Sequence, residues 1–482
     1  MFWRGVLAYL PVNIIQAVIG FGTIVVFTRL LSPEDYGAYV LAYSVSVLAA
    51  LFTLTWMEAA MARFYAAEPA ESRPALFATL YRSFGVTALL APIPFGLAWV
   101  LLPFSHALKL AIGVALLATL ARSLLRLVQE RRRAAGEMRG FAVIDTVQAV
   151  AGFVLGILFA LLGAGASSPF IGVGLSSVIC LAWALGPELS VARRGRFDRL
   201  RFKGYVAYGF PLALSLILSV TLASTDRFVL AAVTGEAAVG AYHAGYSLSS
   251  RTLDVIFLWL AMAGSPATVA ALERSGEAAL RDTARQQASL MILLTVPAAV
   301  GVALVADPLA QLMVGRELVG AVAVVTPWIA VGALFSGLTT HYLNTAFTLS
   351  RKPMRQMAAV IIPAVANLVL CLVLIPRYGL QGAAWATAIS YTLGAATSYV
   401  LMRGCIRLPV PWGVIAKTLV ACLLMGAALR QLPAMAAPAL ELALKATVGA
   451  GVYGIAILAM DAGGLRTQIL RRLQGRALGP AA

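Results

Sequence analysis

Long apolar runs recur from one end of the chain to the other, separated by short connections rich in charge, Pro and Gly. At a rise of about 1.5 Å per residue, roughly 20 apolar residues cover a hydrocarbon core of about 30 Å. Fourteen runs of about this length can be marked out: 5–27, 35–56, 83–102, 108–129, 140–162, 169–185, 205–232, 239–263, 289–305, 321–345, 357–374, 380–401, 412–429 and 440–460. Their length and unbroken apolarity predict helices, because barrel strands are shorter and alternate in polarity. The expectation is an all-α polytopic membrane protein with about 14 transmembrane helices.

One run breaks the apolar pattern at its centre. In 239–263, His243, Ser247, Ser250, Arg251 and Asp254 follow one another at steps of four, three, one and three, so a helix places them on one face. The other face is Leu, Ile, Val, Phe and Ala. An arginine at the bilayer centre costs at least about 2.5–3.5 kcal/mol, so this stripe must face protein or water. Two readings follow. Arg251 and Asp254 form an i,i+3 ion pair that neutralises both, or Arg251 presents its planar fork of donors to an anionic group such as phosphate. The second is the expectation for Arg251, with Asp254, Ser247 and Ser250 beside it.

Composition sharpens this picture. Of 482 residues 61% are hydrophobic and 12% charged, and the mean hydropathy is +0.88. A soluble domain is nearer a quarter charged, and the longest polar connection, 264–288, is too short to be one. The net charge of +17 would point to nucleic acid in a soluble protein. Here it follows the positive-inside bias. With the N-terminus inside and an even number of spans, only Arg29, Lys109, Arg227, Arg316, Arg377, Arg430 and Lys445 fall outside. Both termini are therefore expected in the cytoplasm of a multi-pass membrane protein, with no nucleic-acid partner. The basic runs 131–133 and 193–203 act as topology signals and can touch lipid headgroups. The opening apolar run continues to Phe27, so it reads as a retained helix and not a cleaved leader. Cys180, Cys371, Cys405 and Cys422 lack metal or redox spacing and are expected reduced.

The chain carries an internal repeat. Gly37-Ala38-Tyr39 with Tyr43-Ser44 and Ser46 returns as Gly240-Ala241-Tyr242 with Tyr246-Ser247 and Ser249, at a constant offset of 203 residues. Each copy opens the second span of its half. Equal span parity makes the repeat parallel, as in transporters whose two bundles rock about an axis normal to the membrane. The expected organisation is a six-helix lobe over 1–192, a basic linker over 193–204, a second six-helix lobe over 205–402, and two more helices with a basic tail over 403–482. At the repeat offset, Leu48 and Leu51 stand where Arg251 and Asp254 stand, so the charge pair belongs to one copy alone.

Other polar positions within spans are further candidates. Asn13 and Gln16, with Gly20 and Thr23, make a stripe on the first span that serves helix packing or lines a cavity. Arg122 and Arg126 lie one turn apart on the fourth span and Asp145 and Gln148 on the fifth, all toward the cytoplasmic side. They are snorkelling flanks or a basic approach for a headgroup. Asp226, on a stripe with Ser215 and Ser219, is either solvated at the outer interface or part of the cavity. His341 and Asn344 read as hydrogen-bonded packing groups or as a proton relay.

Several chemistries lack their residues. No G-x-x-x-x-G-K-[ST] sequence is present, and no H-E-x-x-H, and there are only three histidines. No catalytic residue, cofactor or metal site is expected, and the chain is not expected to be an enzyme.

Four stretches resemble a known family. Residues 28–39, Thr-Arg-Leu-Leu-Ser-Pro-Glu-Asp-Tyr-Gly-Ala-Tyr, are similar to the first-loop signature of the polysaccharide-biosynthesis flippases. Residues 208–212 resemble the start of their seventh helix, 226–230 with 239–242 their helix 7–8 connection, and 379–387 the opening of their twelfth helix. These flippases belong to the multidrug/oligosaccharidyl-lipid/polysaccharide exporter superfamily. The resemblance implies two six-helix lobes in a V-shaped arrangement, as in the multidrug exporters, with two extra helices, and alternating access. It implies a polyprenyl-pyrophosphate-linked oligosaccharide as substrate, the repeat unit of a surface polysaccharide, O-antigen or exopolysaccharide. Membrane lipids and a polysaccharide polymerase are the partners it suggests, with the chain itself a monomer. The cation-coupled drug exporters of the superfamily commonly carry an acid in the first span. This span has Asn13 and Gln16 instead. A cation-coupled small-molecule exporter and a membrane glycan polymerase remain the alternatives.

Overall fold

The computed structural model describes residues 2–91, 93, 105–350 and 352–467, and for residues 2–11, Asn13, Ser215, Ser219 and a few others the backbone alone. Among the described residues the protein is all-helical, without strands, and nine helices are long and apolar enough to cross a membrane. The basic residues of the tail beyond residue 467, and most of 92–104, lie outside the described residues. The chain divides into two compact units, Met1–Ala241 and Tyr242–Ala482.

In the first unit, α1 (Phe2–Leu30), α2 (Pro33–Thr53) and α3 (Thr55–Phe64) are followed by α4 (Arg73–Leu90) and α5 (His106–Ala134). Then come α6 (Met138–Leu161), α7 (Ser168–Arg194) and α8 (Arg199–Thr234). The start of α2 is written in its sequence. Ser32 Oγ accepts from the Asp35 N–H at 3.1 Å, Pro33 occupies the first turn, and Glu34 and Asp35 face the positive end of the helix. α7 packs against α4, α5 and α6, α1 lies on α6, and α8 lies on α2 and α3. The unit's core gathers Leu54, Trp56, Met57, Met61, Leu76, Leu80, Leu127 and Ile144.

In the second unit the chain continues in α9 (Glu236–Leu304, its first six residues belonging to the first unit). Next come α10 (Ala306–Met313), α11 (Val319–Leu338), α12 (Thr345–Leu349) and α13 (Pro353–Leu401), then α14 (Trp412–Arg430) and α15 (Pro438–Ala459). α9 and α13 are each broken by a glycine in a backbone conformation that a side chain disfavours, Gly276 (φ 77°) and Gly379 (φ 53°). α11 packs on α13, and α14 on α15. Lys417 on α14 donates from Nζ to the Met460 carbonyl at 2.7 Å, setting a cation at the negative end of α15.

The repeat has matching local geometry in its two copies. The Tyr39 and Tyr43 rings are 6.4 Å apart at 39°, and those of Tyr242 and Tyr246 are 6.1 Å apart at 40°. The two repeat glycines also meet. A Cβ on Gly37 would lie 1.8 Å from the Glu236 carbonyl oxygen, and one on Gly240 would lie 3.0 Å from the Gly37 nitrogen. Each copy carries glycine where the first turns of α2 and α9 touch, because no side chain fits between the backbones there.

Candidate substrate-contact site in the membrane

The charged stripe on α9 turns away from its own unit's packing. Leu253 and Phe257 are fully buried, and with Ala299 and Ala333 they form one core cluster. Arg251 and Asp254 are exposed, Ser250 is half-buried, and Ser247 is buried with its Oγ 3.4 Å from His243 Nε2. Among the described residues Arg251 makes no ion pair and no hydrogen bond, so the i,i+3 pair with Asp254 is not formed. Asp254 lies within Coulombic reach of both Arg251 and His341. His341 belongs to a π-helical turn, Thr339–Leu343, that follows α11, and its ring stacks on Phe257 at 5.7 Å and 14°. A Cβ on Gly337 would collide with Phe257 at 2.0 Å, so that glycine makes room for the ring. Ser398 Oγ lies 3.4 Å from Asn344 Oδ1. α9 and the turn after α11 thus set Arg251 and His341 within electrostatic reach of Asp254. Single-turn π insertions of this kind re-aim side chains and recur at functional positions.

The first unit holds the other candidates. Gln16 on α1 donates from Nε2 to Asp145 Oδ2 on α6 at 2.5 Å. Arg122 and Arg126 on α5 both act electrostatically on Asp145 and on Glu58 of α3, without an ion pair to either within 4 Å. Arg122 is half-buried and Arg126 exposed. Gln148 is buried, 3.5 Å from Ser176 Oγ. Asp226 is 4% exposed and accepts the Arg227 N–H at 2.8 Å, so it is a buried group and not one solvated at an interface. The side chain of Asn13 lies outside the described residues, as do those of Ser215 and Ser219.

Two ionic groupings had no counterpart in the sequence reading. Glu188, 2% exposed on α7, accepts from Arg131 Nε at 2.8 Å and from the Tyr81 hydroxyl at 3.3 Å, and Arg131 also pairs with Glu137. The available signal was an acid inside an apolar helix, Glu188, with an arginine run on a neighbouring helix. The second grouping lies beyond the spans. Arg201 binds Glu68 at 2.6 Å and Asp198 at 3.2 Å, and Asp198 caps α8 through the N–H groups of Leu200 and Arg201. Partial burial pushes the Glu68 carboxyl up, but the Ser72 hydroxyl and Arg201 outweigh it and hold Glu68 below the usual carboxylate range. The Arg201 N–H holds Asp198 below its range as well.

A family model described as "Polysaccharide biosynthesis protein" matches residues 26–323. The chain belongs to that family. No curated protein matches it by sequence. Among solved structures, it is similar to "Lipid II flippase MurJ, inward closed conformation", with 13% identity, 95% of this chain and 99% of that one covered, and a TM-score of 0.79. An inward-facing multidrug resistance MATE family transporter of the MOP superfamily follows, with 15% identity, coverage of 81% and 93%, and a TM-score of 0.60. A MOP superfamily transporter from Pyrococcus furiosus gives 16% identity, coverage of 83% and 92%, and a TM-score of 0.51. The fold of this polysaccharide biosynthesis protein is therefore the one shared by MurJ and the MATE transporters, and the protein is a multi-pass membrane protein.

Proposed function

We propose that this polysaccharide biosynthesis protein is a flippase, and not an enzyme. It turns a polyprenyl-pyrophosphate-linked oligosaccharide from the inner to the outer leaflet of the bacterial inner membrane by alternating access. Both termini lie in the cytoplasm, the membrane is crossed fourteen times, and the two six-helix lobes are the moving bodies. Arg251 contacts the pyrophosphate or an anionic sugar.

The observation that carries this reading is the state of Arg251. A guanidinium in the middle of the apolar run 239–263, exposed and, among the described residues, without an ion pair or hydrogen bond, has to be met by water or by an anion. Its planar donors fit a phosphate oxygen pair. Asp254, within electrostatic reach of both Arg251 and His341, would accept hydroxyl groups of the substrate beside it. Ser247 and Ser250 continue the stripe along α9. Gln16, Arg122, Arg126, Asn13 and Asn344 are further candidate contacts, each taken within its own unit.

The test is leaflet-resolved detection of the lipid-linked sugar in vesicles with and without the protein. Translocation that depends on the protein and falls in Arg251→Ala is the expected result. If the lipid-linked sugar crosses equally well without the protein while ion-driven dye efflux needs it, the chain is a small-molecule exporter. Repeat units already stranded on the outer leaflet of a deletion strain would instead mark a polymerase.

A further inference from the structure

The connection between α7 and α8 has two unlike faces. One is fastened to the rest of the first unit. A Cβ on Gly195 would lie 1.9 Å from the Pro74 carbonyl oxygen, so the backbone there rests directly on that turn. The Asp198 N–H donates to Thr79 Oγ1 at 3.1 Å, and Arg201 binds Glu68. Phe202 meets Trp56 edge-on at 5.8 Å, and Tyr205 packs on Phe64 at 4.9 Å. The other face is open. Leu200 is 81% exposed and Phe197 42%. Around them Arg193, Arg194, Arg196, Arg199 and Lys203 are all exposed, and among the described residues none has an ion pair or a hydrogen bond. Arg201 alone of the basic residues in this stretch is neutralised.

We infer that this open face is a docking surface for anionic phospholipid headgroups. The two apolar side chains enter the interfacial layer and the five cations gather phosphates around them. Three observations favour a lipid over an acidic protein. The segment begins where the membrane-length helix Gly165–Arg194 ends, so continuity of the chain leaves it at a membrane surface. Unpaired cations around exposed apolar side chains are the composition that settles at an anionic interface. The opposite face is fixed by hydrogen bonds and ring contacts, so the open face is held in place before any partner arrives. Burying Leu200 costs no order that Asp198 and Arg201 have not already imposed. The inference is independent of what the protein transports.

The experiment uses the full chain in vesicles. Leu200→Cys is made in a Cys405→Ser background, since Cys180, Cys371 and Cys422 are buried, and labelled with bimane. Quenching is compared between chain-brominated phosphatidylglycerol and chain-brominated phosphatidylcholine at equal mole fraction. The expected result is about twofold or more stronger quenching by the anionic lipid. That preference should disappear on adding Arg193→Gln, Arg194→Gln, Arg196→Gln and Arg199→Gln, and persist when the same four are changed to Lys. High salt should weaken it, through screening. Equal quenching by the two lipids overturns the inference. So does a label that resists both lipids but is quenched by aqueous iodide, which would leave the face free for a soluble acidic partner. The Lys variants separate a charge effect from a folding defect.

Discussion

Arg131 in the first unit and Arg251 in the second are both arginines of membrane-length helices, and their surroundings are opposite. Arg131 is nearly enclosed and saturated: Glu188 and Glu137 take its charge, and Tyr81 shares Glu188. Arg251 is exposed, and the acid one turn away does not pair with it. A buried pair that satisfies itself holds helices together and has nothing left to offer a ligand. A cation without a partner contributes little to folding and retains its full capacity for an anion. The contrast teaches that an arginine can meet a ligand only where the structure leaves it unpaired.

The largest expected effect lies on the saturated side. Glu188→Ala leaves Arg131 without its enclosed partner, and removing one member of a buried pair costs about 3–5 kcal/mol. Thermal melts in detergent should show a large drop, with little protein reaching the membrane. A melt within experimental error of wild type would mean that Arg131 is as free as Arg251.

Next is the contact between the repeat copies. Gly37→Val forces a side chain into the Glu236 carbonyl, and overpacking of this kind costs about 1–3 kcal/mol. Gly240→Val meets its first neighbours at 3.0 Å rather than 1.8 Å and should be the milder change. Equal losses in the two melts would show that the copies are not packed unequally there.

Arg251→Ala should change the melting temperature little, since surface-like substitutions stay within about 0.5 kcal/mol. Under the proposed function its effect is on transport. A charge-assisted hydrogen bond is worth about 1.5–3 kcal/mol, so surface polysaccharide should fall about tenfold or more while lipid-linked intermediate accumulates inside. Normal polysaccharide in that mutant removes Arg251 from the site. Glu188→Gln is the complementary control, expected to lose stability first.

The smallest effect is a pH dependence outside the membrane. Glu68 and Asp198 have carboxyls lowered in the folded state, so their contribution is present in full above the unfolded range of about 4. It is lost as pH falls through the lowered folded values. Hydrogen exchange across residues 195–203 should accelerate only in that acid window, and Glu68→Gln should reduce the change, leaving the share that Asp198 contributes. Acceleration already near pH 6 would place its origin elsewhere.

Much of the fold was legible in the sequence because a bilayer simplifies the code. Backbone groups without water must bond within their own helix, so apolar length alone announces a span. The break at Ser32-Pro33, the repeat at Gly37 and Gly240, and the stripe around Arg251 are local patterns that the structure retains. The family resemblance rested on 28–39, 208–212, 226–242 and 379–387, and the family model covers all but the last of these. The partnerships were not legible. Glu188 and Arg131 are 57 residues apart, Gln16 and Asp145 129, and Glu68 and Arg201 133. Spacing along one helix cannot foresee which distant helix will bring a counter-charge.

By itself, then, the sequence determined the helical membrane class, the repeat and which residues share the α9 face, since each follows from helical period and apolar length. Only the tertiary structure decided that Arg131 is spent and Arg251 is not, that Asp226 is buried, and that Gly37 meets Gly240. Those outcomes depend on how helices pack against one another, and packing sets the distances over which charge and close contact act.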